Sequence, residues 1–321
     1  MRSAWATGAW LAATLAGCNP YGYLTDVGDA SPASTDCGGC HVEIHREWQA
    51  STHAASWTGE AFAESTSDRR FEACLGCHAP DTIYASGAPR VRRTRREEGV
   101  NCVSCHFDGG VLAGPAPTSA LLEPHPVAAG REIYRKSDLC GKCHEGTCRE
   151  WQAAATGETR TCQDCHMPRV TRTLTQGTDL LSGALVSFED EYEGRRHTFH
   201  LDAIAGFEDA VEGRLDGPTR DGGRLRGAVV LVDRLPHRIP TGDFGFRRVV
   251  LEIEGLDATG AVAGAERHEL YGELGTALEP GVERAFPFDL PAGVVAVRAR
   301  LSRGKRSGAA ATVFERRWET P

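Results

Sequence analysis

Methionine is almost missing from these 321 residues, present only as Met1 and Met167. Thioether sulfur is therefore scarcely available as a ligand to any metal the chain holds. Apolar runs long enough to span a bilayer are missing as well. The one uncharged apolar stretch, Ala4 to Ala16, falls short of the roughly 18 residues a spanning helix needs. There is no excess of positive charge either: 36 Lys and Arg stand against 44 Asp and Glu, for a net charge of −8. That balance excludes a nucleic-acid partner.

The short apolar stretch is explained by its flanks. Arg2 precedes it and Leu15-Ala16-Gly17-Cys18 closes it, which makes residues 1–18 a signal peptide. Its last four residues also resemble the lipobox of bacterial lipoproteins, in which Cys18 would carry the lipid. The alternative is an ordinary secretory signal in which Cys18 is coincidental. On the lipobox reading the mature protein is exported and held at a membrane by lipid, in the periplasm or at the outer membrane and cell surface.

Cysteine is what the chain has in abundance, and ten of the twelve fall into five copies of one pentapeptide, Cys-x-x-Cys-His. The copies are Cys37-Cys40-His41, Cys74-Cys77-His78, Cys102-Cys105-His106, Cys140-Cys143-His144 and Cys162-Cys165-His166. Two thiols at this spacing form thioether bonds to the vinyl groups of a porphyrin, and the following His reaches the iron from one face. Zinc knuckles also use Cys pairs, but a tetrahedral zinc site gives no reason for a His directly after every second Cys. The motifs therefore predict five covalently held c-type haems with iron, and His41, His78, His106, His144 and His166 as the proximal ligands. Cys148 is left as a lone thiol.

The motifs also set the expected organisation. Residues 19–36, rich in Pro, Gly, Ser and Asp, read as a flexible tether. Residues 37–224 read as a pentahaem domain of short helices and irregular connections, with the porphyrins as its interior and a long final connection over Thr171 to Gly223. One helix is predicted over His41 to Trp57, with Trp48, like Trp151, packing on a porphyrin. From residue 225 to 321 the period changes to two, as in Val295, Val297, Ala299 and Leu301, or Val249, Leu251 and Ile253. Six or seven such strands suggest a small β-sandwich, and the whole chain an α+β protein. The basic run Arg90, Arg92, Arg93, Arg95 and Arg96 reads as a solvated loop, or as a source of guanidiniums for haem propionates.

Function depends on the sixth ligand of each iron, because an iron closed by two protein ligands passes electrons, whereas an open one can transform a small molecule. Met167 follows proximal His166 directly and cannot reach across that haem. The census falls on seven spare histidines. On a single helix His53 would lie about 18 Å from His41 along the axis, so it must serve a neighbouring haem. His125, held between Pro124 and Pro126, suits a rigid ligand arm. Of His197 and His200 one is a ligand, with His197 favoured. His237, ahead of Ile239-Pro240-Thr241-Gly242, is a further candidate. His45 lies on the proximal side of its own haem, and His268 reads as a surface residue of a strand.

The run from Cys37 through Trp48 to Ser51-Thr-His53-Ala resembles the opening of the cytochrome c-552/c-554-like multihaem family. Cys162-Gln-Asp-Cys-His-Met167-Pro168 followed by His197-Thr-Phe199 is also similar to that family and to the related nitrite reductases and hydroxylamine oxidoreductases. His237-Arg-Ile-Pro-Thr-Gly242 resembles the segment that opens the β-domain in many members. The resemblance implies that His53 is a distal ligand. His200-Leu201 replaces the usual Gly-Gly after His-x-Phe, which leaves the choice between His197 and His200 open. No Cys-x-x-Cys-Lys motif, the mark of the catalytic haem in many nitrite reductases, is present.

Together these features predict an electron carrier that relays single electrons between a donor and an acceptor protein through low-potential haems. The alternative is a multihaem oxidoreductase with one open iron acting on nitrite, hydroxylamine or a similar nitrogen species.

Overall fold

The computed structural model describes residues 32–116, 125–154, 160–177, 180–199, 210–242, 247–303 and 311–320. Cys18 and the leader, the tether up to residue 31, and His200 lie outside the described residues. The chain divides into two compact units, one built from residues up to 62 with 69–135 and 169–199, the other from 63–68 with 136–168 and 200–321.

The first unit is a string of short helices with small β pairings between them. Helices α1 (Ser34–Gly38), α2 (Val42–Gln49), α4 (Glu72–His78) and α5 (Cys102–His106) carry or follow the first three Cys-x-x-Cys-His motifs, and α3 (Glu60–Ser65) lies between α2 and α4. The expected helix from His41 to Trp57 stops at Gln49. Ser51 donates its N–H back to Trp48, its Oγ takes the Ala54 N–H at 3.4 Å, and residues 51–58 form successive turns. Strands β1 (Phe107–Asp108), β2 (Val111–Ala113) and β3 (Val127–Ala128) form a small sheet, antiparallel then parallel. Strand β4 (Arg169–Arg172) pairs antiparallel with β5 (Tyr192–Arg195), and α9 (Leu180–Val186) lies in the loop between them.

The second unit places helices α6 (Asp138–Gly141), α7 (Glu145–Ala153) and α8 (Cys162–His166) with seven strands. A three-stranded sheet orders β10 (Glu283–Leu290), β7 (Arg224–Asp233) and β6 (Val211–Asp221); a four-stranded sheet orders β12 (Ala311–Glu319), β11 (Ala296–Arg303), β8 (Arg248–Leu256) and β9 (Val262–Tyr271). All pairings in both sheets are antiparallel. Leu225, Val229 and Leu231 of β7, Leu251 and Ile253 of β8, and Val297, Ala299 and Leu301 of β11 are fully buried. They alternate with Arg and Glu on the outer face, as in the Arg298 and Glu254 pair at 2.7 Å. Each fully buried Leu or Ile stabilises the sandwich by about 1.5–3 kcal/mol.

The architecture is α+β, with a helical cytochrome-like region preceding the sandwich. The domain limits differ from those expected at 224 and 225. The sandwich begins at Val211, inside the stretch read as a connection, and the fourth and fifth motifs group with the sandwich, not with the first three. His268, expected at the surface of its strand, turns inward. Its ring packs 5.2 Å from that of Phe286 and its Nε2 is buried without a hydrogen-bond partner.

Candidate metal centres

Each Cys-x-x-Cys-His motif occupies a short helix or turn, which puts its two thiols and its imidazole on one side of the backbone. In α5, Asn101 caps the helix by accepting the Ser104 N–H at 3.2 Å; in α8, Thr161 does the same for Asp164 at 3.3 Å. No described cysteine is in a disulfide.

The motif histidines are oriented through Nδ1. His41 donates to the Leu174 carbonyl, His78 to Ser56 and His106 to Ala113, each at 2.7 Å. A carbonyl on Nδ1 fixes the tautomer and leaves Nε2 bare, the arrangement that metal-bound histidines use. The His106 ring also stacks on Tyr134 with centroids 5.2 Å apart, and the Tyr134 hydroxyl lies 2.8 Å from the same Ala113 carbonyl. His78 stacks face to face on Phe62 at 3.8 Å. His144 is the N-cap residue of α7, where its backbone carbonyl accepts the Cys148 N–H at 2.9 Å.

Three spare histidines face motif histidines at one recurring distance. Ring centroids are 6.4 Å apart for His41 and His125, 6.2 Å for His106 and His197, and 6.4 Å for His166 and His237. Two imidazoles on opposite faces of one metal, each bonded at about 2 Å through Nε2, have ring centres about 6.3 Å apart. Rotation about the nitrogen–metal–nitrogen axis leaves this distance unchanged, so interplanar angles of 60°, 39° and 18° all satisfy it. His197 and His237 donate Nδ1 to the carbonyls of Arg195 and Arg238, again leaving Nε2 bare. Burial lowers the pKa of His197 to about 3, with the nearby His106 adding to it, and also lowers those of His106 and His237. A neutral imidazole is the form a metal binds. These residues thus fit haem iron. His53 sits edge-on to Phe199 with centroids 4.1 Å apart, and its carbonyl accepts the Val100 N–H at 3.0 Å.

Around these pairs lies a repeat that the spacing of the motifs conceals. Residues 34–50 and 137–153 agree at ten of seventeen positions: the leading Ser, both Cys, the Gly after the first Cys, the His, and Arg-Glu-Trp-Gln-Ala. Motif spacing is uneven, so a search for a fixed period misses it; comparing the residues after each His finds it. The two copies make the same contacts. The Trp48 indole donates to the Val100 carbonyl at 2.7 Å and the Trp151 indole to that of Arg160 at 3.2 Å, each acceptor lying two residues ahead of a later motif's first Cys, Cys102 and Cys162. The thiol of Cys37 is within hydrogen-bonding reach of Cys102, and that of Cys140 of Cys162. A Cβ on Gly38 would lie 2.7 Å from the His45 ring, and one on Gly141 2.9 Å from Cys148 Sγ. Cys148 is therefore the counterpart of His45, a small buried side chain closing the gap beside the helix turn.

Within the Arg run Arg90 and Arg93 are exposed, as a solvated loop requires, but Arg92 fits neither reading. Arg92 is 2% exposed. It donates to the carbonyls of Thr94, Pro80, Arg95 and Gly99 and to Asn101 Oδ1 and Ser104 Oγ, all at 2.7–3.1 Å. Arg96 lies over the Trp57 ring at 5.7 Å.

Residues 36–107, which hold three of the motifs, match the family described as cytochrome c554 and c-prime. Over these residues the chain is similar to multihaem c-type cytochromes. Its fold is similar to that of the penta-heme cytochrome c552 from Thermochromatium tepidum, with a TM-score of 0.64 at 19% identity over 90% of this chain and 99% of that one. A weaker likeness, TM-score 0.19 at 14% identity over 35% of this chain and 90% of the other, is to the ApaA protein from Bordetella pertussis. No curated protein matches. Haem c, iron and multihaem electron transfer are the cofactor and chemistry that this likeness supports.

Proposed function

We propose that the protein is an exported lipoprotein, anchored through Cys18, that carries five haems on its five motifs and relays single electrons between a donor and an acceptor protein. His125, His197 and His237 close the irons opposite His41, His106 and His166, and His53 and His200 remain candidates for the others. The observation that carries this reading is the recurrence of 6.2–6.4 Å between these imidazole rings. Bound haem supplies the one-electron couple. The chain's own residues exclude water, hold each imidazole neutral and aim its Nε2. They also bring first cysteines of different motifs together, Cys37 to Cys102 and Cys140 to Cys162, so that neighbouring haems lie within tunnelling range. Low potentials follow from imidazole on both faces.

Ferric holoprotein with five haems by mass is expected to be wholly low-spin, and His125→Ala, His197→Ala and His237→Ala each to convert one haem to high-spin. High-spin signal in the unmodified holoprotein at full loading, with rapid reoxidation of the reduced form by nitrite, would replace the relay by a reductase.

A further inference from the structure

The repeated Arg-Glu-Trp-Gln-Ala segment carries one glutamate per copy, Glu47 and Glu150, each six residues past its motif histidine. Both side chains are 11% exposed. Each reaches to the segment that carries the histidine facing a different motif's imidazole: the third motif's for Glu47 and the fifth's for Glu150. Glu47 Oε2 accepts the backbone N–H of His197 at 2.9 Å. Its two oxygens are held by Arg172 at 2.9 and 3.0 Å, and Oε1 also by Arg196 at 2.9 Å. Glu150 Oε2 accepts the backbone N–H of Arg238, directly after His237, at 3.1 Å, and Oε1 accepts that of Gly242 at 3.1 Å. Arg238 Nη2 and Thr241 Oγ1 complete its shell at 2.6 Å each. Burial alone would raise both carboxyls, but these donors outweigh it and hold them below the ordinary value.

The backbone these carboxylates grip is otherwise short of support. His197 follows the end of β5 by two residues, and His237 lies in the loop after β7, so in neither case does a strand ladder fix the ligand. An ionised carboxylate accepting a backbone N–H is a strong and directional anchor, and second-shell partners of this kind decide whether an imidazole stays on its metal.

We propose that Glu47 and Glu150 are equivalent positioning residues, each clamping the backbone of a distal histidine and so keeping the sixth position of one haem closed: Glu47 through His197 for the haem on Cys102, Cys105 and His106, and Glu150 through His237 for the haem on Cys162, Cys165 and His166. This rests on the ligand assignment above. A further consequence is selectivity, since the segment after the first motif controls the third haem and that after the fourth controls the fifth.

The test is ferric spectroscopy of holoprotein variants whose haem content is confirmed by mass. Glu47→Gln and Glu150→Gln are each expected to shift one haem of five from low-spin to high-spin. Exogenous imidazole is expected to restore the low-spin state, and the double variant Glu47→Gln/His197→Ala to show no more high-spin haem than His197→Ala alone. Glu47→Asp, which keeps the charge but shortens the reach, is expected to give a partial change and serves if the Gln variant fails to load haem. Unchanged low-spin spectra in both Gln variants overturn the proposal, as does a loss spread over all haems that imidazole does not rescue. If His197→Ala and His237→Ala themselves leave the spectrum low-spin, the ligand assignment fails instead.

Discussion

Arg92 illustrates how much a single buried side chain can do among the short helices of the first unit. Its guanidinium is buried and its charge is met by four carbonyls, an amide oxygen and a hydroxyl. Apart from Pro80, which follows the second motif, these acceptors belong to residues just before and within the third motif, so the arginine shapes the backbone that presents Cys102. Lysine, with three N–H donors on a point-like head, cannot fill this planar array. Arg92→Lys is expected to leave two or more buried acceptors bare, at about 1–3 kcal/mol each, and so to cost on the order of 3 kcal/mol in denaturant unfolding of the holoprotein. Nothing in the sequence separates Arg92 from its four neighbours. A run of arginines looks alike whether solvated or buried, and only the closing of residues 80, 95, 99 and 101 around one of them decides.

At the scale of elements, β7 and its flanks show both what pattern reveals and what it hides. The alternation of Leu225, Val229 and Leu231 marks β7 plainly, whereas its partner β6 reads poorly. Gly213 of β6 stands where an apolar side chain is expected, because the Phe314 ring from the facing sheet fills that space; a Cβ there would lie 2.3 Å from it. Gly217 and Pro218 then interrupt the strand at a register shift between Asp216 and Thr219. The truncated helix α2 has a similar origin, since side-chain bonds from Ser51 and Ser56 close turns that compete with the helix. At its far end β7 closes with Asp233, fully buried, whose Oδ1 accepts the Leu235 N–H at 2.8 Å while Oδ2 has no hydrogen-bond partner. Burial raises its pKa to about 8, with Glu279 and Glu150 adding to it. From its ordinary value of 3.8 up to about 8 the folded chain keeps this proton and the unfolded chain loses it. Stability therefore falls as pH rises through that window, by at most about 1.4 kcal/mol per unit, and the full penalty is present above it. Asp233→Asn is expected to remove this slope, so that variant and parent differ more in denaturant midpoint at pH 8 than at pH 5.

Over the whole molecule, the distribution of ligand chemistry is legible from composition in a way that geometry is not. Five motifs and spare histidines could be counted in the sequence, but which imidazole faces which depends on contacts between residues as distant as His41 and His125, or His106 and His197. Spacing along the chain carries no such information. The scarcity of methionine, by contrast, acts on every centre at once. Outside the proposed leader the chain has only Met167, and its N–H continues helix α8 by bonding the Gln163 carbonyl at 3.0 Å, next to His166. Thioether ligation raises haem potentials relative to imidazole on both faces. A spectroelectrochemical titration of the holoprotein is thus expected to show every component at low potential, spread only by burial and by the charge of neighbouring groups. Replacing Met167 by Leu should leave that spread in place, because a side chain directly after His166 does not reach the opposite face of that haem. A component titrating far above the rest, and lost in Met167→Leu, would show that this sulfur does reach an iron and that the fifth motif is folded differently.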